Sequence, residues 1–277
     1  MPELPEVETT KEGIKLQLEG HTISWISVHN PRLRIPVPNH LNELCIGKKI
    51  IAVTRRAKYI LIQLSEGYLL IHLGMSGHLR IAKNKSIPEK HDHITMTLSN
   101  NLKLRFYDPR RFGLFLYIDK NPYEHPLLIH LGKEPLSEEF NGHYLFQKGK
   151  NKNKPIKSFI MDNEIVVGVG NIYATESLFL AKIHPSTPTK MLSEEAHFNL
   201  AMHIKEVLKQ AIACGGTTLK DFYTLDGKPG YFSVSLKVYG RKNQPCVQCL
   251  HPIESVIIAG RNSTFCPQCQ SYIFHYN

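Results

Sequence analysis

The feature that most constrains this chain lies near its C-terminus, where sixteen residues separate Cys246-Val-Gln-Cys249 from Cys266-Pro-Gln-Cys269. Each Cys-x-x-Cys places two thiolates on one tight turn, and two such knuckles at this separation match the four-cysteine zinc template. Together they complete a tetrahedron with Zn–S bonds of ~2.3 Å. Four protein ligands leave no open position, so one structural Zn2+ is expected at Cys246, Cys249, Cys266 and Cys269. The competing reading is a pair of disulfides. Nothing resembling a signal peptide precedes the chain, which favours reduced thiols. Between the knuckles, apolar residues flank Gly260-Arg261-Asn262 and read as a β-hairpin. Its tip presents Arg261, a planar cationic fork suited to a phosphate.

A zinc-stapled hairpin serves protein partners as well as nucleic acid, so the charge balance matters. The 277 residues carry a formal charge of +10, long enough for two ordinary domains and basic enough to favour a polyanionic partner. Residues 1–130 hold 18 Lys and Arg against 12 Asp and Glu, and residues 131–277 hold 16 against 12. The excess is therefore spread over both halves, and no detachable basic tail explains it. A ribosome-associated or lipid-surface protein would show the same balance. No apolar run reaches the ~20 residues needed to span a bilayer. Cys45 and Cys214 stand outside the zinc set and are expected to be buried thiols.

The chain begins Met1-Pro2-Glu3-Leu4-Pro5-Glu6. Methionine before a small residue such as proline is usually removed, which would leave Pro2 with a free secondary amine. Condensed with a sugar aldehyde carbon, that amine gives an iminium, an electron sink for elimination chemistry. An α-amino group has a reference pKa of about 7.7–8.0, so a useful fraction is free base at neutral pH. Glu3 stands beside it as a proton donor or relay. The plain alternative is that Pro5 and Glu6 simply open a helix running to about Leu18 and ended by Gly20.

From Thr22 to Tyr117 the pattern changes to period two, with strands expected at Ile23–Val28, Ile60–Leu64, Leu69–Leu73, Ile94–Leu98 and Leu102–Phe106. Such strands indicate a β-sandwich or flattened barrel. Three stretches exceed what a scaffold requires: Arg55-Arg56-Ala57-Lys58-Tyr59, His91-Asp92-His93 and Asp108-Pro-Arg110-Arg-Phe112-Gly113. Each taken alone also fits a solvated charged edge, and His91 and His93 lack a third metal ligand at usable spacing. Lys148, Lys150, Lys152, Lys154 and Lys157 then form a basic linker, solvated and flexible or lying along a polyanion. Helices follow at Ile156–Met161 and Ile172–Leu180, separated by Gly168-Val-Gly170-Asn171, and a third runs from Ser193 to Cys214. Helix, Gly-rich turn and helix together make an anion-binding device, and also a common plain packing motif. The polar, Gly-rich Thr217–Phe232 segment reads as a loop, with a lid among its uses.

These motifs, in this order, resemble bacterial formamidopyrimidine-DNA glycosylases over essentially the whole chain. The resemblance implies a multidomain α+β fold: a β-sandwich with an N-terminal helix, a helix–two-turns–helix domain and a zinc-finger β-hairpin. Its expected boundaries are 1–132, a linker at 133–157, 158–235 and 236–277. It implies excision of oxidised purines from damaged duplex DNA, followed by β,δ-elimination, with no organic cofactor. Pro2 would attack the sugar C1′ of a flipped lesion, Glu3 would manage protons and Lys58 would aid elimination or hold phosphate. Arg261, His91, Lys152, Lys157 and Asn171 would hold phosphates. Met75, Arg110 and Phe112 would fill the gap left by the flipped nucleotide, Arg110 facing the orphaned cytosine. Glu176, Thr217 and Tyr231 would line the base pocket. Monomeric action in a bacterial cytoplasm, at the nucleoid, is the matching expectation. Two other readings stand beside it: an endonuclease VIII-like enzyme for oxidised pyrimidines, and a non-catalytic DNA-binding protein.

Overall fold

The computed structural model describes residues 2–82, 86–216 and 236–271. Its contacts divide into two compact units, one centred on residues 2–130 and the other on 131–213 with the C-terminal segment. Among the described residues no helix is long and apolar enough to cross a membrane.

The first unit opens with helix α1 (Leu4–Leu18). Pro5 sits in its first turn, where a missing N–H costs nothing, and the Glu6 carboxylate accepts the backbone N–H of Glu3 at 2.8 Å. Strands and one short helix follow: β1 (Ile23–Val28), α2 (Leu41–Cys45), β2 (Ile50–Arg56), β3 (Tyr59–Leu64), β4 (Tyr68–His72), β5 (His78–Ala82), β6 (Asp92–Leu98), β7 (Lys103–Tyr107) and β8 (Leu114–Ile118). They form two antiparallel four-stranded sheets, ordered β1-β6-β7-β5 and β2-β3-β4-β8. Residues of both sheets, among them Ile26, Ile62, Ile71, Met96, Phe106 and Phe115, share one apolar cluster with Val7, Ile14 and Leu18 of α1. The unit is a β-sandwich with α1 packed on β2.

Strands β2, β5 and β8 have no counterpart in the sequence reading. β2 ends in two arginines, and β8 is almost continuously buried, so neither shows clean alternation. Cys45 is buried as expected, and burial pushes its thiol up to about 12, but Cys214 is exposed because α6 ends just before it.

The second unit holds α3 (Gly142–Gly149), α4 (Ile156–Ile160), α5 (Asn171–Leu180), α6 (Glu194–Ala213) and a hairpin of β9 (Glu254–Ile258) and β10 (Arg261–Phe265). Within the stretch read as linker, α3 is a proper helix, its N-terminus capped where Asn141 Oδ1 accepts the Tyr144 N–H at 2.9 Å. Ser193 caps α6 in the same way, through Ala196 N–H at 3.1 Å. α6 packs on α3 and α5, and α5 also touches β10.

Candidate active site and nucleic-acid interface

The residues expected to form the site fall into three groups, two in the first unit and one in the second. At the head of α1, Pro2 is buried and Glu3 is only 3 % exposed. The Glu3 N–H bond to Glu6 fixes the start of the helix and thereby the direction in which Pro2 leaves it. Lys58 stands in the two-residue turn between β2 and β3, where Arg56 pairs with Tyr59 and Ala57 adopts φ +54°. A non-glycine residue in that left-handed region costs roughly 1–2 kcal/mol, so the turn must be held from outside.

The second group surrounds a cavity of about 380 Å³ lined by Arg34, His72, Gly74, Met75, Arg110 and Phe112. The structure thus gathers the three expected void-filling side chains around one opening. Gly74, at φ +65°, makes this possible: a Cβ there would lie 2.5 Å from Gly113 N and 2.6 Å from Phe112 C. Buried Asp108 shapes the second loop, its carboxylate accepting from Ser76 Oγ at 3.1 Å, Arg110 N at 3.3 Å and Gly113 N at 2.8 Å. The Arg110 guanidinium sits 5.1 Å from the Phe112 ring centroid. Phe112 is 46 % exposed and Met75 36 %. Large apolar side chains projecting beside an arginine fit a surface that inserts into a partner.

His72 and Arg34 line this cavity, and sequence reasoning missed both. His72 Nδ1 accepts the Gly74 N–H at 2.9 Å, which leaves Nε2 as the protonated nitrogen of the neutral ring. Burial, with help from Lys58 and Arg34, pulls its pKa down to about 4. The one available signal was a histidine closing an apolar strand just before Gly74-Met75.

The His91-Asp92-His93 stretch separates into scaffold and surface. Asp92 is buried against Arg80 at 2.7 Å and Arg105 at 3.5 Å, and His93 is buried with Nε2 2.6 Å from the Asp108 carbonyl. His91 is partly exposed and edge-on to Tyr107 at 5.7 Å. Among the described residues the four zinc-template cysteines alone form a cluster able to hold a metal, so neither histidine belongs to one.

The third group lies in the second unit. Gly168 at φ +79° and Gly170 lead into α5, which begins at Asn171. The β9–β10 hairpin turns through Ala259 at φ +48° and Gly260 at φ +73°, the two-residue turn that matches strand twist, and so sets Arg261 at its edge. A smaller cavity of about 180 Å³ is lined by Lys154, Lys157, Ser158, Asp162 and Arg261 among others. Lys154 is paired with Asp162 at 2.7 Å, and Lys152 is exposed.

Lys157 is not the solvated lysine that the basic run suggested. It is 1 % exposed, and its ammonium donates to Asn171 Oδ1 at 2.6 Å, Ser263 Oγ at 2.7 Å and the Asn262 carbonyl at 3.3 Å. The donors of the ammonium are thus answered by protein acceptors on α5 and β10. Lys157 therefore ties α4, α5 and the finger hairpin together. Glu176, expected to line the base pocket, is buried, with 3 % exposure. Its oxygens accept the N–H groups of Lys237 at 2.9 Å, Val238 at 3.0 Å and Tyr239 at 2.8 Å, clamping the entry to the finger. Thr217, Tyr231 and the loop around them lie outside the described residues.

The ligand atoms of Cys246, Cys249, Cys266 and Cys269 all lie within 4.8 Å of one another, with Sγ pairs at 3.9 Å and 3.4 Å. A tetrahedron with ~2.3 Å bonds has edges of ~3.8 Å, whereas a disulfide needs ~2.05 Å. The donor set fits zinc. Backbone N–H groups of Gln248 and Cys269 point at Cys246 Sγ and Cys266 Sγ at 3.4 Å, as thiolates require. Burial and the neighbouring sulfurs raise Cys266 and Cys269, so the cluster resists full ionisation without a cation. Cys246 and Cys266 join Phe179 of α5, Val238 and Ile253 in one apolar cluster, and Gln270 bridges Cys266 N and the Ile183 carbonyl, both at 2.9 Å.

Three family signatures match this chain: the formamidopyrimidine-DNA glycosylase N-terminal domain over residues 1–115, the formamidopyrimidine-DNA glycosylase H2TH domain over 131–223, and the zinc finger found in FPG and IleRS over 243–271. The chain is 64 % identical over 273 residues to formamidopyrimidine-DNA glycosylase of Legionella pneumophila strain Philadelphia 1, covering 99 % of this chain and 100 % of the relative. Its fold is similar to that of a Lactococcus lactis FPG variant bound to Fapy-dG DNA, with a TM-score of 0.90 at 34 % identity, covering 98 % and 100 % of the two chains. It is equally similar to MutM in complex with DNA containing carbocyclic 8-oxo-G, with a TM-score of 0.89 at 34 % identity and the same coverage.

Proposed function

The chain belongs to the formamidopyrimidine-DNA glycosylase family of base-excision repair enzymes, and from that premise we propose that it excises oxidised purines through Pro2 and then cleaves the abasic strand as a lyase. With Met1 removed, the Pro2 nitrogen attacks C1′ of the extruded nucleotide. The C1′–N bond to the base breaks, the base departs with a proton, and opening of the sugar ring leaves an iminium between Pro2 and C1′. Glu3, at the same helix head, moves the proton on and off the sugar ring oxygen. The iminium acidifies C2′, and its deprotonation expels the 3′ phosphate by β-elimination. A second elimination expels the 5′ phosphate, and water releases Pro2. Lys58 assists these eliminations or holds the adjacent phosphate.

Extruding a paired base costs a few kcal/mol. Met75 and Phe112 offset that cost by filling the vacated space, while Arg110 offers its donors to the orphaned cytosine. The cavity that gathers these three side chains is the observation that carries the reading, because a scaffold gains nothing from exposing Met75 and Phe112 beside Arg110. Arg261, His91, Asn171 and Lys152 take phosphates, with Lys157 acting through Asn171 and the finger. Cys246, Cys249, Cys266 and Cys269 hold one zinc, whose contribution is to fold the finger that presents Arg261. On this reading the catalytic domain spans residues 1–132 and the finger 236–277.

Product analysis on a duplex with one 8-oxoguanine opposite cytosine tests the proposal. Free base together with strands ended by phosphate on both sides of a one-nucleotide gap is the expected result. The same chain with an uncleaved residue ahead of Pro2 should bind and leave the lesion intact; excision by that extended chain would contradict N-terminal chemistry.

A further inference from the structure

Arg55 is the last residue but one of β2, 47 positions from Glu8 on α1. Its Nε donates to Glu8 Oε2 at 2.6 Å, and its Nη1 donates to the Ala57 carbonyl at 2.8 Å. The Arg55 side chain is 11 % exposed, and Glu8 is anchored in turn by Lys11 at 2.7 Å on its other oxygen. One guanidinium thus grips helix α1, whose head carries Pro2, and the strained turn that presents Lys58. Two donors in a rigid fork do what a lysine at this position could not. Ala57 is 2 % exposed and sits at φ +54°, a conformation that persists only where its surroundings impose it. The pairing also offsets one of three cations crowded into Arg55, Arg56 and Lys58.

We propose that Arg55, anchored by Glu8, is a positioning residue that sets Lys58 against the N-terminal helix and so governs the chemical step without touching DNA. The inference rests on the reading above, in which Pro2 and Lys58 act on the sugar. Positioning has a distinct signature, because misplacing a group by about 1 Å can cost on the order of a hundredfold in rate. Its loss shows only while the positioned group is present.

The test is a double-mutant cycle on the full chain and an 8-oxoguanine duplex, reading single-turnover strand cleavage, DNA affinity and borohydride trapping. Arg55→Met is expected to slow cleavage by roughly tenfold to a hundredfold with DNA affinity near wild type. In a Lys58→Met background the same change should add little, since the two act as a unit. Arg55→Lys, which keeps the charge but cannot span both acceptors, should recover part of the rate. Where Arg55→Met fails to fold, Glu8→Gln carries the cycle. Multiplicative losses from Arg55→Met and Lys58→Met, or a loss confined to affinity, would overturn the proposal while leaving wild-type trapping intact. Absence of trapping in the wild type itself would sink the reading beneath it.

Discussion

The ammonium of Lys157 donates to Oδ1 of Asn171 at 2.6 Å, joining the helix before the glycine-rich turn to the helix after it. Asn171 Nδ2 and Lys157 Nζ both reach the Asn262 carbonyl, so the residue next to Arg261 is held by the same pair. The start of α5 and the finger hairpin are therefore fixed in register through one buried charge.

Lys157→Met should leave acceptors on half-buried Asn171 and buried Ser263 unanswered, costing about 1–3 kcal/mol of stability and weakening DNA binding. Arg261→Ala should do the reverse: little change in stability, and a salt dependence of DNA binding shallower by about one charge. Thermal unfolding and salt titrations check both. A Lys157→Met protein of unchanged stability with a shallower salt slope would make Lys157 a direct phosphate contact.

Phe112→Ala and Met75→Ala should change stability by no more than about 0.5 kcal/mol, because both side chains are substantially exposed. Excision from paired duplex should nevertheless fall sharply. The loss should shrink when the lesion is placed in a mismatch or bubble, where less extrusion energy is needed. Equal losses on paired and unpaired substrates would remove these residues from void filling.

The readable and unreadable parts of this chain differ in the distance over which their cause acts. The cysteine knuckles, the helix opening at Pro5 and the helix start at Ser193 are set by residues a few positions apart, so local pattern revealed them. The cavity around Met75 exists because Gly74 lets two loops touch 39 residues apart, at Gly113 N. Resemblance supplied the roles of Met75 and Phe112, and packing supplied their meeting place. Lys157 looked like one more member of a lysine run because its burial depends on Asn171 and Ser263. His72 hid in an apolar strand, and Arg55 in a charged edge whose partner Glu8 lies on another element.

The depressed pKa of His72 carries a pH dependence. In the unfolded chain this imidazole titrates near ~6.5, and in the fold burial holds it at about 4. Between those values the unfolded state binds more protons, so stability is intact above the upper value and declines as pH falls toward the lower. The slope contributed is about 1.4 kcal/mol per pH unit at most. Urea unfolding of wild type and His72→Gln from pH 7 to pH 4 should diverge in steepness over that window. Parallel curves would mean that His72 is protonated in the fold.

Chelation of the zinc should dissolve the cluster of Phe179, Val238, Cys246, Ile253 and Cys266 and release the Gln270 bridge. Metal analysis should find one zinc per chain, and zinc-depleted protein should lose DNA affinity and regain it on readdition. Normal affinity without zinc would separate the finger from DNA binding.

Borohydride reduction during turnover of an 8-oxoguanine–cytosine duplex bears most directly on the central claim, that the Pro2 amine is the nucleophile. The account predicts a covalent protein–DNA band in the wild type, mapped by peptide mass to the N-terminal proline and lost or greatly reduced in Pro2→Gly and Glu3→Gln. A band that persists in Pro2→Gly and maps to a lysine, or no band on any lesion while DNA binding stays intact, would contradict it.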